Sequence, residues 1–145
     1  MGFKQILILG DFDASFEAHG ALQDRLAEAA ENAGHVVNTR WLDADDLAVR
    51  PGAQAEAHGV VLAPRSTRAF RDLPVPYLGA LRLVRERKIP FLATGDAHDL
   101  VLVEIARNVL GMERANSTYF DEEAAEPVVK ELPTPLRPLM RIPSP

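Results

Sequence analysis

The chain has 145 residues, 47% of them hydrophobic and 26% charged, the size and make-up of one globular domain rather than a disordered, fibrous or two-domain chain. Its formal net charge is −5 with the basic residues scattered, so the footprint that nucleic acid or an anionic membrane requires is missing. Cysteine is absent, which excludes disulfides, thiolate catalysis and cysteine metal sites.

Near the N-terminus the apolar run is only Ile6 to Leu9, too short for a signal segment or a membrane span, and a cytoplasmic location is expected. Gln5 to Leu9 is an unbroken β-branched and leucine run closed by Gly10, the pattern of a strand buried on both faces and hence of a parallel sheet. Ser15 is placed to cap a helix running to about Ala33, with Ala18, Leu22, Leu26 and Ala29 at helical spacing and Gly34 as its stop. Val36 to Trp41 reads as a second strand. The acidic stretch Asp43 to Gln54 contains Pro51-Gly52 and reads as a connection, with room for one turn of helix, rather than as a core element.

A third strand follows at Gly59 to Ala63, then an amphipathic helix over Pro76 to Lys88 with Tyr77, Leu81 and Val84 on one face. Its basic residues, Arg82, Arg85, Arg87 and Lys88, read as the solvated face and last turn, where cations complement the helix dipole. Ile89 to Thr94 is a fourth strand, and Ala97 to Leu110 is a helix apolar almost all round, ended by Gly111. Strands alternating with helices give right-handed βαβ units, so the expected architecture is a three-layer α/β fold with a flavodoxin-like open parallel sheet of order 2-1-3-4. Val128 to Leu132 is a candidate for a short fifth edge strand. The division expected is one α/β domain over 1–131 and a proline-rich arm over 132–145, whose prolines deny it a ladder.

In an open α/β sheet, ligands bind beyond the carboxyl ends of the strands. Three segments meet there: Gly10-Asp11-Phe12-Asp13-Ala14-Ser15, Pro64-Arg65-Ser66-Thr67-Arg68 and Gly95-Asp96-Ala97-His98-Asp99. His19 follows Ser15 by one helical turn and is a candidate to reach the same rim. Asp11 and Asp13 opposite Arg65 or Arg68 read as an ion-pair network or a clamp for a polar ligand rather than as a metal site. No cofactor motif is read. Asp96, His98 and Asp99 admit two readings: an acid/base site with the imidazole oriented by a carboxylate, or a helix cap with acids in the first turn.

The fourth-strand segment, a strand, a sharp glycine turn and then a buried helix, has the geometry of a nucleophile elbow. Phe91 to Asn108 (FLATGDAHDLVLVEIARN) resembles the elbow of the CTP synthase glutamine amidotransferase domain. The likeness continues through Val109-Leu110-Gly111, Ala115-Asn116-Ser117-Thr118 and Phe120-Asp121. The opening Gly10 to Ser15 with His19 is similar to the start of the smaller CTP synthase-related proteins. The resemblance covers most of residues 4 to 131 and implies a class I amidotransferase-like fold.

Laid without gaps, the resemblance puts the family's nucleophilic cysteine on Gly95 and its elbow neighbours on Asp96, Ala97, His98 and Asp99. No histidine follows residue 98, so the family's later histidine and glutamate find no counterpart, and glutaminase activity by the family mechanism is not expected. Two functions follow, and the first is preferred, because inert drift would leave small or apolar residues at the elbow where this chain carries two carboxylates and an imidazole. One is a repurposed hydrolase, lyase or isomerase acting on a small polar metabolite, with Asp96, His98 and Asp99 catalytic and Asp11, Asp13, Ser15, His19, Arg65, Ser66, Arg68 and Gly95 binding. The other is a non-catalytic module that binds a metabolite or a synthase-like partner protein. A homodimer covering the exposed sheet edge is expected with either.

Overall fold

Pairing of the apolar runs builds the sheet, and the sheet fixes where the loops emerge. A computed structural model describes residues 2–64 and 75–130, apart from the side chain of Asp96. In chain order the elements are β1 (Gly2–Leu9), α1 (Glu17–Asn32), β2 (His35–Leu42), α2 (Ala44–Val49), β3 (Gly59–Leu62), α3 (Val75–Glu86), β4 (Phe91–Ala93), a 3-10 turn (Gly95–Ala97), α4 (His98–Asn108), β5 (Ala115–Ser117) and β6 (Glu126–Val129).

β1 to β4 form a parallel sheet of order β2-β1-β3-β4, as the sequence predicts. β1 is central: Ile6 to Leu9 lie in register with Gly59 to Leu62 on one side and with Thr39 to Leu42 on the other. Of β1 only Leu7, Ile8 and Leu9 are buried. β2, at the edge, alternates between exposed Val36, Asn38 and Arg40 and half-buried Val37, Thr39 and Trp41, the period of a strand covered on one face. Leu7, Leu9, Val60, Leu62, Tyr77, Leu81, Val84, Leu100 and Val103 belong to one buried cluster. Ile8, on the opposite face of β1, is also fully buried.

Four expectations need correction. Ser15 does not cap α1: the cap position is Phe16 and makes no side-chain bond there, because the Ser15 hydroxyl donates to Asp13 instead. The short helix allowed in Asp43 to Gln54 is α2, which starts at a reciprocal capping box between Asp43 and Asp46, but the stretch does reach the core, through Leu47. The strand near residue 128 does not join the edge of the main sheet. It is β6, and it pairs in parallel with β5 as a separate two-stranded sheet packed against α4. Nor is α4 buried all round: Leu102 on α4, and Val109 and Leu110 beyond it, are exposed, as are Phe91 and Leu92 on β4. The arm over 132–145 lies outside the described residues.

The basic face of α3 is not wholly solvated either. Arg85 donates Nε and Nη2 to the carboxylate of Glu104 on α4, at 2.8 to 3.2 Å. Glu104 is 2% exposed and also accepts from Asn108 Nδ2 at 3.2 Å. An acid so deeply placed is tolerable only when paired and hydrogen-bonded, so this fork holds α3 to α4 where apolar contact alone would leave a charge unmatched. Arg82, by contrast, pairs with Glu86 on the open surface, an arrangement of little energetic consequence. Arg85→Ala is expected to lower the unfolding free energy by about 3–4 kcal/mol. Arg82→Ala, which loses an exposed pair with Glu86 and a long bond to Asn108, should change it far less, both read from urea denaturation.

Candidate functional site

The three loops of the carboxyl rim are built on close backbone contacts. Gly10 N donates to Leu42 O at 3.0 Å and Ala63 N to Leu9 O at 3.0 Å, so the ladder continues past the strand ends. A Cβ on Gly10 would lie 3.1 Å from that of Ala63 and 3.3 Å from the Trp41 ring. Glycine is therefore needed here for the close approach of β2 and β3.

Beyond Gly10 the chain turns on Asp13, whose Oδ1 accepts from Ser15 N at 2.9 Å and Ser15 Oγ at 2.6 Å. This is an Asx-type turn, and it uses both residues for local structure. His19 closes the loop from below. Its Nδ1 accepts the Asp13 N–H at 3.0 Å, so the ring proton sits on Nε2, which donates to Pro64 O at 2.7 Å. The ring is 1% exposed and packs on Trp41 at 4.7 Å, with Phe12 and Phe16 beside it. His19 thus ties the loop after β1 to the end of β3 and is not a surface group of the rim.

Asp11 faces α3, where the Tyr77 hydroxyl donates to its Oδ1 at 3.2 Å. Partial burial raises the Asp11 pKa; the Tyr77 hydroxyl opposes the shift, and the carboxylates of Asp43 and Asp45 add to it. Burial, and then the charge of Asp11, push the Tyr77 phenol upward as well.

At the end of β4, Thr94 donates both N (3.0 Å) and Oγ1 (2.8 Å) to Leu62 O. The chain then reverses at Gly95 with φ +57°, passes through the 3-10 turn and enters α4. The strand, turn and helix expected of an elbow are present over residues 91 to 108. A Cβ on Gly95 would meet Pro64 Cβ at 3.0 Å, so a side chain at residue 95 would crowd the segment that follows β3. The cap position of α4 falls on Ala97, with no side-chain cap bond, one residue later than the reading that gave it to Asp96.

His98 is exposed but held at both nitrogens: Nδ1 lies 2.8 Å from Gly95 O and Nε2 lies 3.2 Å from Asp99 Oδ1. Both partners are acceptors, so only the doubly protonated ring donates to each. Asp99 is itself buried, and its Oδ2 accepts from Ser117 Oγ of β5 at 3.0 Å.

The structure therefore joins Asp13, Ser15 and His19 to Pro64 and, through Pro64, to Gly95, and it joins His98 to Asp99. Asp11 turns to Tyr77. Arg65, Ser66 and Arg68 lie outside the described residues. Sequence reading missed Pro64, Tyr77 and Ser117 as partners. Nothing in their spacing marks them, although Ser117 lies within the Ala115 to Thr118 motif. Among the described residues no three His, Asp or Glu side chains are grouped to hold a metal ion, and no helix is long and apolar enough to cross a membrane.

Comparison with known proteins gives this geometry a family. No family model matches the chain. It is 32% identical over 128 residues to the CTP synthase of Wolinella succinogenes, covering 86% of this chain and 22% of the relative. To the CTP synthase of Halalkalibacterium halodurans it is 32% identical over 139 residues, covering 91% and 25%. Among solved structures, the glutaminase domain of Trypanosoma brucei CTPS with bound acivicin matches with a TM-score of 0.74 at 18% identity, over 88% of this chain and 49% of that one. The chain is a CTP synthase-like domain with the fold of a glutaminase domain. It spans about a quarter of the length of the curated relatives it matches and about half of the solved domain.

The raised pKa of Asp11 has a signed consequence. The folded state holds this proton more tightly than the unfolded state, whose value is near 3.8. Its contribution to stability is therefore fully present below that pH and is lost as pH rises through the folded value. Asp11→Asn keeps an acceptor for Tyr77 but does not titrate. The stability of Asp11→Asn minus that of the wild type, from urea denaturation, should grow as pH rises from 3.8 toward neutral; a flat difference would contradict the assignment.

Proposed function

We propose that this chain is a glutaminase-type domain without glutaminase activity, acting as a binding module for a small polar metabolite at the carboxyl rim. The observation that carries this reading is the elbow. The position that the resemblance gives to the nucleophile is Gly95, where a Cβ would crowd Pro64 Cβ at 3.0 Å on a backbone of positive φ that side chains disfavour. A thiol there would need room as well as an activating base, and the chain has no cysteine at all.

The other rim groups support the same reading, because most already have structural work. Asp13 and Ser15 make a turn, His19 bridges two loops and Asp99 anchors β5. Asp11 has a partner too, the Tyr77 hydroxyl. Its carboxyl sits at the rim against a neutral phenol, in surroundings that penalise its charge, and it would gain from a ligand presenting a donor or a cation. Arg65, Ser66 and Arg68 follow Pro64 in the sequence and are residue types suited to an anionic group.

One observation favours the rival reading of a repurposed enzyme: His98 lies 3.2 Å from the Asp99 carboxylate, an acid/base pair in outline. A thermal-shift screen of nucleotides, amino acids and their amides separates the two. A binding module is stabilised by one compound without consuming it, and the shift is lost in Asp11→Asn. Turnover of that compound, abolished by His98→Ala, would instead establish the enzyme. Gly95→Cys is expected to release no ammonia from glutamine, and an active Gly95→Cys would refute the closed elbow.

A further inference from the structure

The main sheet has two edges, β2 and β4, and they differ in chemistry. β2 exposes Asn38 and Arg40 along its length, the kind of polar interruption that discourages an edge from pairing. β4 exposes Phe91 and Leu92, at 39% and 58%, apolar side chains on opposite faces of one strand.

The backbone of β4 is open in a defined pattern. Val60 N donates to Pro90 O at 2.9 Å and Thr94 N to Leu62 O at 3.0 Å, with Val60 beside Phe91 and Leu62 beside Ala93 in the parallel register. The alternation of the ladder therefore turns the N–H and C=O of both Phe91 and Ala93 away from β3. No bond from these groups occurs among the described residues. Pro90 does not interrupt the open side, because its nitrogen, like its carbonyl, lies on the side of β3.

A donor and an acceptor on each of two residues, two apart, are what an antiparallel copy of the same strand requires. Centred on Leu92, such a pair sets Phe91 against Ala93 of the second copy and Ala93 against its Phe91, and each pair exchanges both of its bonds. The side chains agree with that register. Phe91 and Ala93 share one face, so a large residue meets a small one at both ends, while Leu92 meets its own copy on the other face. The charges agree too: the segment is entered through Arg87 and Lys88 and left toward Asp96, ends of opposite sign that an antiparallel pair brings together.

We propose that β4 is the pairing edge of a twofold symmetric dimer of this chain, antiparallel about Leu92. The strand has three residues, so the interface belongs to the small class and the dimer is a weak one, formed at high concentration.

Sedimentation of the full chain from about 1 μM to about 1 mM should show a reversible monomer–dimer equilibrium. Leu92→Lys sets like charges across the twofold axis and should remain monomeric throughout, with an unchanged thermal midpoint because residue 92 is exposed. Introduced cysteines read the register, since the chain has none of its own. Under mild oxidation Leu92→Cys should link to itself, because such a pair holds its Cα atoms about 4.5 Å apart, within disulfide reach. Phe91→Cys, offset from its copy by more than about 7 Å, should not link to itself but should link to Ala93→Cys when the two are mixed. Val49→Cys, on the 80% exposed residue of α2, gives the rate of random encounter. A monomer at about 1 mM, or Leu92→Cys linking no faster than Val49→Cys, would overturn the dimer. Phe91→Cys linking to itself as fast as Leu92→Cys would overturn the register.

Discussion

The arrangement of the rim depends on one close contact, that of Pro64 with the turn at Gly95. β3 and β4 end side by side, Thr94 binds back onto Leu62, and the chain must reverse at once to start α4. A positive φ at residue 95 makes that reversal, and glycine adopts it without strain. Pro64 then occupies the outward direction while its carbonyl receives the proton of His19. The same residue thus crowds the elbow and connects the first loop to the end of the third strand.

Around this contact, buried polar groups are spent on holding elements together. Two acids of α4 are buried, and each has a specific partner on a different element: Glu104 on Arg85 of α3 and Asp99 on Ser117 of β5. They fix α4 from both sides, and α4 in turn fixes the turn before it. A network of this kind is compatible with a rigid binding surface. It leaves less freedom for the proton transfers that an acid/base mechanism asks of the same residues.

Much of the fold was legible in the sequence, for a physical reason. Ile6 to Leu9 and Gly59 to Leu62 are runs that only a doubly covered parallel sheet can bury, and right-handed crossovers then leave few strand orders. What was hidden depended on partners far apart in sequence. Ser15 looks like a helix cap, yet Asp13 two residues earlier offers its hydroxyl a better acceptor. His19 reads as a ligand-facing group of the rim until Trp41 and Pro64 are seen around it. Arg85 reads as solvated until Glu104 is brought opposite by the packing of α3 on α4. β5 has only three residues, and its pairing with β6 relies on α4 rather than on any periodicity of its own.

The central claim is that the elbow is present in shape and closed in space. The most direct measurement is the nuclear Overhauser contact between the Gly95 Hα protons and the Pro64 Hβ protons in the unliganded chain near neutral pH. A strong cross-peak is predicted from the 3.0 Å approach of a Cβ on Gly95 to Pro64. Its absence, with Gly95 still turning between β4 and α4, would mean that the pocket is open and would contradict the account.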